Sequence, residues 1–127
     1  MAEQPKDLMD CFRLLKAMGT AEDLEAFIDL PDRKAAPTYH SGLGRALRNR
    51  WGLWHDPKGD RPETPIHAYL VELGLHHGDD MSGLILESFH RHLRGEPLDV
   101  KGQVARYQEF WRTNAEANAS NGEKSDG

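Results

Sequence analysis

The sequence predicts an all-α fold: a compact single domain of about six short helices followed by a disordered C-terminal tail. Apolar residues recur at spacings of three and four along six segments. Glycine, proline and small polar residues stand at the ends of those segments. No stretch alternates convincingly at period two. At 127 residues the chain is one domain's worth and long enough to bury a core.

The first helix is expected over residues 6–18, where Leu8, Cys11, Phe12, Leu15 and Met18 fall on one stripe and Gly19 stops it. Thr20 caps the next, with Asp23 three residues on as its reciprocal partner, and Pro31 ends it. After a loop through 32–38, a third helix over 41–50 carries Leu43 and Leu47, with Trp51 continuing the row. Residues 56–63 read as a surface loop. Thr64-Pro65 opens the fourth helix and Gly74 closes it. Asp79 or Asp80 is expected to cap the fifth, which runs to Arg94 with Gly95 as its stop, and Asp99 to cap the sixth. Beyond Arg112 no large apolar residue occurs, so 113–127 is expected to be disordered. The helical domain is thus 5–112, made of an acidic pair over 5–31 and a core over 38–112.

Charge is unevenly spread. The net value is −5, yet residues 33–55 hold Arg33, Lys34, Arg45, Arg48 and Arg50 with no acid. The stretch before them has three Lys/Arg against eight Asp/Glu, and the stretch after has eight against thirteen. This cationic island suits an acidic protein surface. The overall acidity disfavours a nucleic-acid coat, leaving only Arg45, Arg48 and Arg50 as a local route to phosphate. No apolar run approaches the ~20 residues of a membrane span. The opening MAEQPKDLMD has no signal-peptide pattern. A single cysteine excludes an internal disulfide framework, so a cytoplasmic protein is expected.

The strongest cluster is Arg45, Arg48, Asn49, Arg50, Trp51 and Trp54. Arginine presents a planar fork of donors and tryptophan a stacking face, which together make a binding surface. The competing reading makes both tryptophans core anchors and pairs the arginines with acids. His76, His77, Asp79 and Asp80 have ligand-type side chains, but no metal-binding spacing accompanies them, and no metal or other cofactor is implied. His90 and His92 are placed to favour a helix C-terminus. Cys11 lies on an apolar stripe and reads as core. Nucleophile elbows and phosphate-binding loops are absent from the sequence.

The residues His40-Ser41-Gly42-Leu43-Gly44, Arg48-Asn49 and Gly52-Leu53-Trp54, with the later His77-Gly78-Asp79-Asp80-Met81-Ser82, resemble a small bacterial family of uncharacterised helical domains. That family more often has proline where Gly78 stands. The resemblance spans about 39–93 and implies a compact helical domain with no assigned activity. Taken together, the expectation is a non-enzymatic protein-interaction module, a regulator, adaptor or inhibitor. Its candidate surface is Arg45, Arg48, Asn49, Arg50, Trp54 and His40, and its partner has an acidic surface. The alternative is a small enzyme or a nucleotide- or phosphate-binding domain with a polar cleft around His40, Arg48, Asn49 and Asp79 or Asp80; His77, Asp79 and Asp80 are a secondary candidate site.

Overall fold

The stripe of Leu8, Cys11, Phe12 and Leu15 is buried along one side of α1 (Leu8–Met18). Asp7 caps this helix by accepting from the Asp10 amide. The structure, a computed structural model, describes residues 4–54 and 63–126, with side chains as far as Ala115. The expected loop over 56–63 falls almost wholly outside those residues. Helix α2 (Ala21–Ile28) starts at the predicted capping box: Asp23 N–H donates to Thr20 Oγ1 at 3.1 Å and Thr20 N–H to Asp23 Oδ2 at 3.0 Å.

The third helix begins earlier than its apolar pattern indicates. Helix α3 (Ala35–Tyr39) runs through a π-helical turn (His40–Gly44) into α4 (Arg45–Arg50). Lys34 gives no side-chain cap, and Pro37 lies in the first turn, where its missing N–H costs nothing. That proline makes the segment look like a loop in the sequence. Gly52, at φ +65, lets the chain reverse, so that Leu53 N–H reaches back to the Arg48 carbonyl at 2.9 Å. Helix α5 (Pro65–Leu73) follows the predicted Thr64 cap. The Thr64 hydroxyl also donates to the Trp51 carbonyl at 2.7 Å, tying α5 to the end of α4.

Helix α6 (Gly78–Leu93) is the hub, and every residue from Asp80 to His90 is buried. Its N-cap is His77, which gives no side-chain hydrogen bond. Neither Asp79 nor Asp80 caps it; both lie in the first turn, where their charge suits the helix dipole. Helix α7 (Val100–Asp126) starts where Asp99 Oδ1 accepts from Gly102 N–H at 3.2 Å, as expected of a cap. The tail expected to be disordered lies mostly beyond the described side chains, and the backbone to Asp126 is helical.

One core joins all these parts. Phe89 of α6 lies 5.7 Å from the Phe12 ring and 5.3 Å from Phe27, so α1 and α2 share a core with the rest. Each fully buried aromatic or aliphatic side chain contributes about 1.5–3 kcal/mol. Cys11 is fully buried, and burial pushes its thiol pKa far up, as fits a core residue. His90, in the last turn of α6, is buried as well. Its Nε2 lies 3.0 Å from the Leu30 carbonyl, and its ring meets Phe27 edge-on. Among the described residues there is no strand, and no helix is long and apolar enough to cross a membrane.

Candidate functional site

Arg48 organises the residues that the sequence singles out. It stands on α4, yet only 3% of its surface is exposed. A buried guanidinium must be compensated or it costs several kcal/mol. Here Nη1 donates to Ser82 Oγ at 2.8 Å and Nη2 to the His40 carbonyl at 3.1 Å. Nε lies 3.4 Å from Asp79 Oδ1, within ion-pair range although its N–H makes no hydrogen bond. The Ser82 hydroxyl donates in turn to the Asp79 carbonyl at 3.1 Å. The guanidinium carbon sits 5.1 Å from the centre of the Trp54 ring, whose Nε1–H donates to Asn49 Oδ1.

Two glycines allow the close packing around this side chain, Gly44 against the arginine itself and Gly78 against the backbone of Leu53. A Cβ on Gly44 would come within 3.2 Å of Arg48 Nη1, and one on Gly78 within 2.7 Å of the Leu53 carbonyl oxygen. The two halves of the sequence pattern, 40–54 and 77–82, therefore meet in space through Arg48. They meet as a brace, in which Arg48 contacts Ser82, the His40 carbonyl and Asp79.

The expected surface patch is correspondingly smaller. Arg45 and Arg48 do not form an exposed pair, because Arg48 turns inward between Gly44 and Gly78 while Arg45 stays exposed. Arg50 is exposed, and its carbonyl accepts from Gln4 Nε2 at 3.1 Å. Asn49 and His40 are exposed, the latter supplying only its carbonyl to the brace. The tryptophans part ways: Trp51 is a core anchor, whereas Trp54 is 38% exposed.

His77 and Asp80 belong to a second cluster, built against α7. Asp80 Oδ2 accepts from Trp111 Nε1–H at 2.6 Å, and the His77 ring stacks on Trp111 at 3.9 Å between centroids. Burial raises the Asp80 carboxyl above its ordinary pKa; the Trp111 hydrogen bond opposes this only in part. Tyr107 is pushed up to about 12 by burial, and the Asp80 and Glu87 carboxylates add to the shift. Clefts of about 400 Å³ open on both sides of α7, each lined by Asp80 and Tyr107. In the sequence Tyr107 and Trp111 look like ordinary stripe residues, and nothing there marks Gly83 or Glu87. Among the described residues, no group of three or more His, Cys, Asp or Glu is placed to hold a metal.

A scan of protein families matches residues 4–93 to DUF6794, a domain of unknown function. Searches of curated proteins and of solved structures found no match. The matched stretch runs from just before α1 to the last residue of α6 and includes both halves of the Arg48 brace, but not α7. It covers well over half of the chain, in keeping with the resemblance to an uncharacterised helical family. This chain belongs to the DUF6794 domain family.

Proposed function

We propose that this chain is a non-enzymatic, cytoplasmic protein-interaction module that meets an acidic partner through the exposed residues Arg45, Arg50 and Trp54. One observation carries the reading. The polar residues of the sequence pattern are engaged with one another around Arg48, whereas Arg45 and Arg50 remain exposed in a stretch that holds no acid. Such cations steer association with a surface of opposite charge, and they act mainly on the on-rate.

The test is a pull-down from host cells with mass spectrometry at low and high salt, comparing the natural chain with Arg45→Glu/Arg50→Glu. The expected result is a partner recovered at low salt and lost in the double variant, whose melting temperature stays near normal. Equal recovery by a folded double variant would remove this surface from the proposal.

A further inference from the structure

One of the two clefts beside α7 carries cations that nothing else in the fold uses. It has a volume of about 400 Å³ and is lined from the α3 end by Arg33, Ala36 and Pro37, and from α7 by Arg106, Tyr107 and Phe110. Ala36, Pro37 and Phe110, which is 54% exposed, give it an apolar wall. Arg33 and Arg106 are both exposed. Among the described residues, neither guanidinium forms a hydrogen bond or an ion pair. Arg33 also holds φ +66, in the left-handed region that suits glycine. Residues kept there against their steric preference cluster at binding sites.

Two carboxylates line the same cleft, and both are already engaged. Glu87 is buried, with its Oε1 3.5 Å from Arg91 Nε. Asp80 is buried and accepts from Trp111 Nε1–H at 2.6 Å. The two exposed, unpaired arginines are therefore the groups through which the cleft selects charge. Tyr107 adds a neutral donor. A Cβ on Gly83 would come within 2.5 Å of its hydroxyl, so the ring reaches in over bare backbone. Burial pushes the Tyr107 pKa up to about 12, which keeps the hydroxyl protonated.

We propose that this cleft binds a small aromatic carboxylate, its anionic head held by Arg33 and Arg106 and its ring on Phe110 and Pro37. A guanidinium fork matches the two oxygens of a carboxylate. An apolar wall with a few polar groups is the usual make-up of a small-molecule site. One negative charge suits the cleft better than two, because Glu87, Asp80 and the net charge of −5 oppose a dianion. The site goes beyond the interaction-module reading: it shares no residue with Arg45, Arg50 and Trp54, and α7 stays in place as one of its walls.

The probe is naphthoate, titrated into the isotope-labelled full chain and followed through its amide shifts in two-dimensional NMR. The expected result is saturable binding with a Kd of about 1 mM or tighter. The largest shifts should fall at residues 33–37 and 103–110. Naphthamide keeps the rings without the charge and acetate keeps the charge without the rings, so each should bind about ten-fold more weakly or worse. Arg33→Gly/Arg106→Gln should weaken naphthoate binding by about ten-fold or more. Glycine relieves the left-handed backbone at position 33, so this variant should melt no lower than the natural chain. Phe110→Ala, at an exposed position, should weaken binding as well. A folded arginine variant that binds naphthoate as well as the natural chain would overturn the proposal. So would the lack of saturable binding, shifts confined to other residues, or tighter binding of naphthyl phosphate. Arg45→Glu/Arg50→Glu should leave naphthoate binding unchanged, and Arg33→Gly/Arg106→Gln should leave partner recovery from host cells unchanged. Failure of one site is thereby distinguishable from failure of the other.

Discussion

Arg48 is a charge whose neighbours were assembled to hold it. Replacing it by methionine keeps much of the apolar stem but removes the donors to Ser82 and to the His40 carbonyl. Hydrogen bonds from charged groups are worth about 1.5–3 kcal/mol each, so Arg48→Met should destabilise the domain by about 3 kcal/mol in urea unfolding. Lysine should not rescue it, because a single ammonium cannot reproduce a fork aimed at two acceptors. A variant within about 0.5 kcal/mol of the natural chain, the range of an ordinary surface substitution, would remove Arg48 from this role. Asp80 makes the opposite case. Burial holds its carboxyl above the ordinary 3.8, so between that value and the raised one the native state keeps a proton that the unfolded chain has lost. Stability therefore falls as pH rises through this window. Asp80→Asn keeps an acceptor for Trp111 and carries no charge to desolvate. Its urea midpoint should exceed that of the natural chain at neutral pH, and the two should converge below pH 3.8; a lower midpoint at neutral pH would contradict this account. Neither residue's environment was legible in the sequence. Arg48 lies 34 residues from Ser82 and Asp80 lies 31 from Trp111, and burial set by such distant partners leaves no local pattern.

Among the elements, legibility follows the capping chemistry. The start of α2, from Thr20 and Asp23, and the start of α5, from Thr64 and Pro65, came directly from side chains that satisfy free amides. Helix α3 was missed because Lys34 offers no cap and Pro37 imitates a loop, and the start of α6 was misassigned because two acids in its first turn resemble caps. The π-helical turn is likewise silent in the apolar spacing. Gly78 separates local preference from packing. By helix propensity alone, alanine is better than glycine by about 1 kcal/mol. Its Cβ, however, would stand 2.7 Å from a backbone oxygen, that of Leu53, which cannot swing aside like a flexible side chain. Gly78→Ala should therefore lower stability by about 1–3 kcal/mol, the usual cost of overpacking. A more stable variant in thermal unfolding would show that the α4–α6 approach is loose.

At the scale of the molecule, the family domain closes on α6 and α7 is laid across it, so the contribution of α7 should end where its contacts end. The last side chain of α7 described against the body is that of Trp111, on His77 and Asp80, while Thr113 and Ala115 are exposed. A chain ended after Arg112 should then melt within about a degree of the full chain, because an exposed segment adds little to cooperative stability. A chain ended after Ala105 also loses Tyr107, Gln108 and Trp111, and with them the covering of Gly83 and the hydrogen bond to Asp80. Partial burial of two aromatic rings is worth about 1–2 kcal/mol, and each kcal/mol shifts the melting temperature of a domain this size by about 4–8 °C. The second truncation should therefore fold but melt roughly 4–16 °C lower. Equal losses from both cuts would mean that 113–127 docks on the domain. No loss from the second would mean that Tyr107, Gln108 and Trp111 add nothing to the stability of the domain. Total unfolding of the second would mean that the rest of the domain cannot fold without residues 106–112.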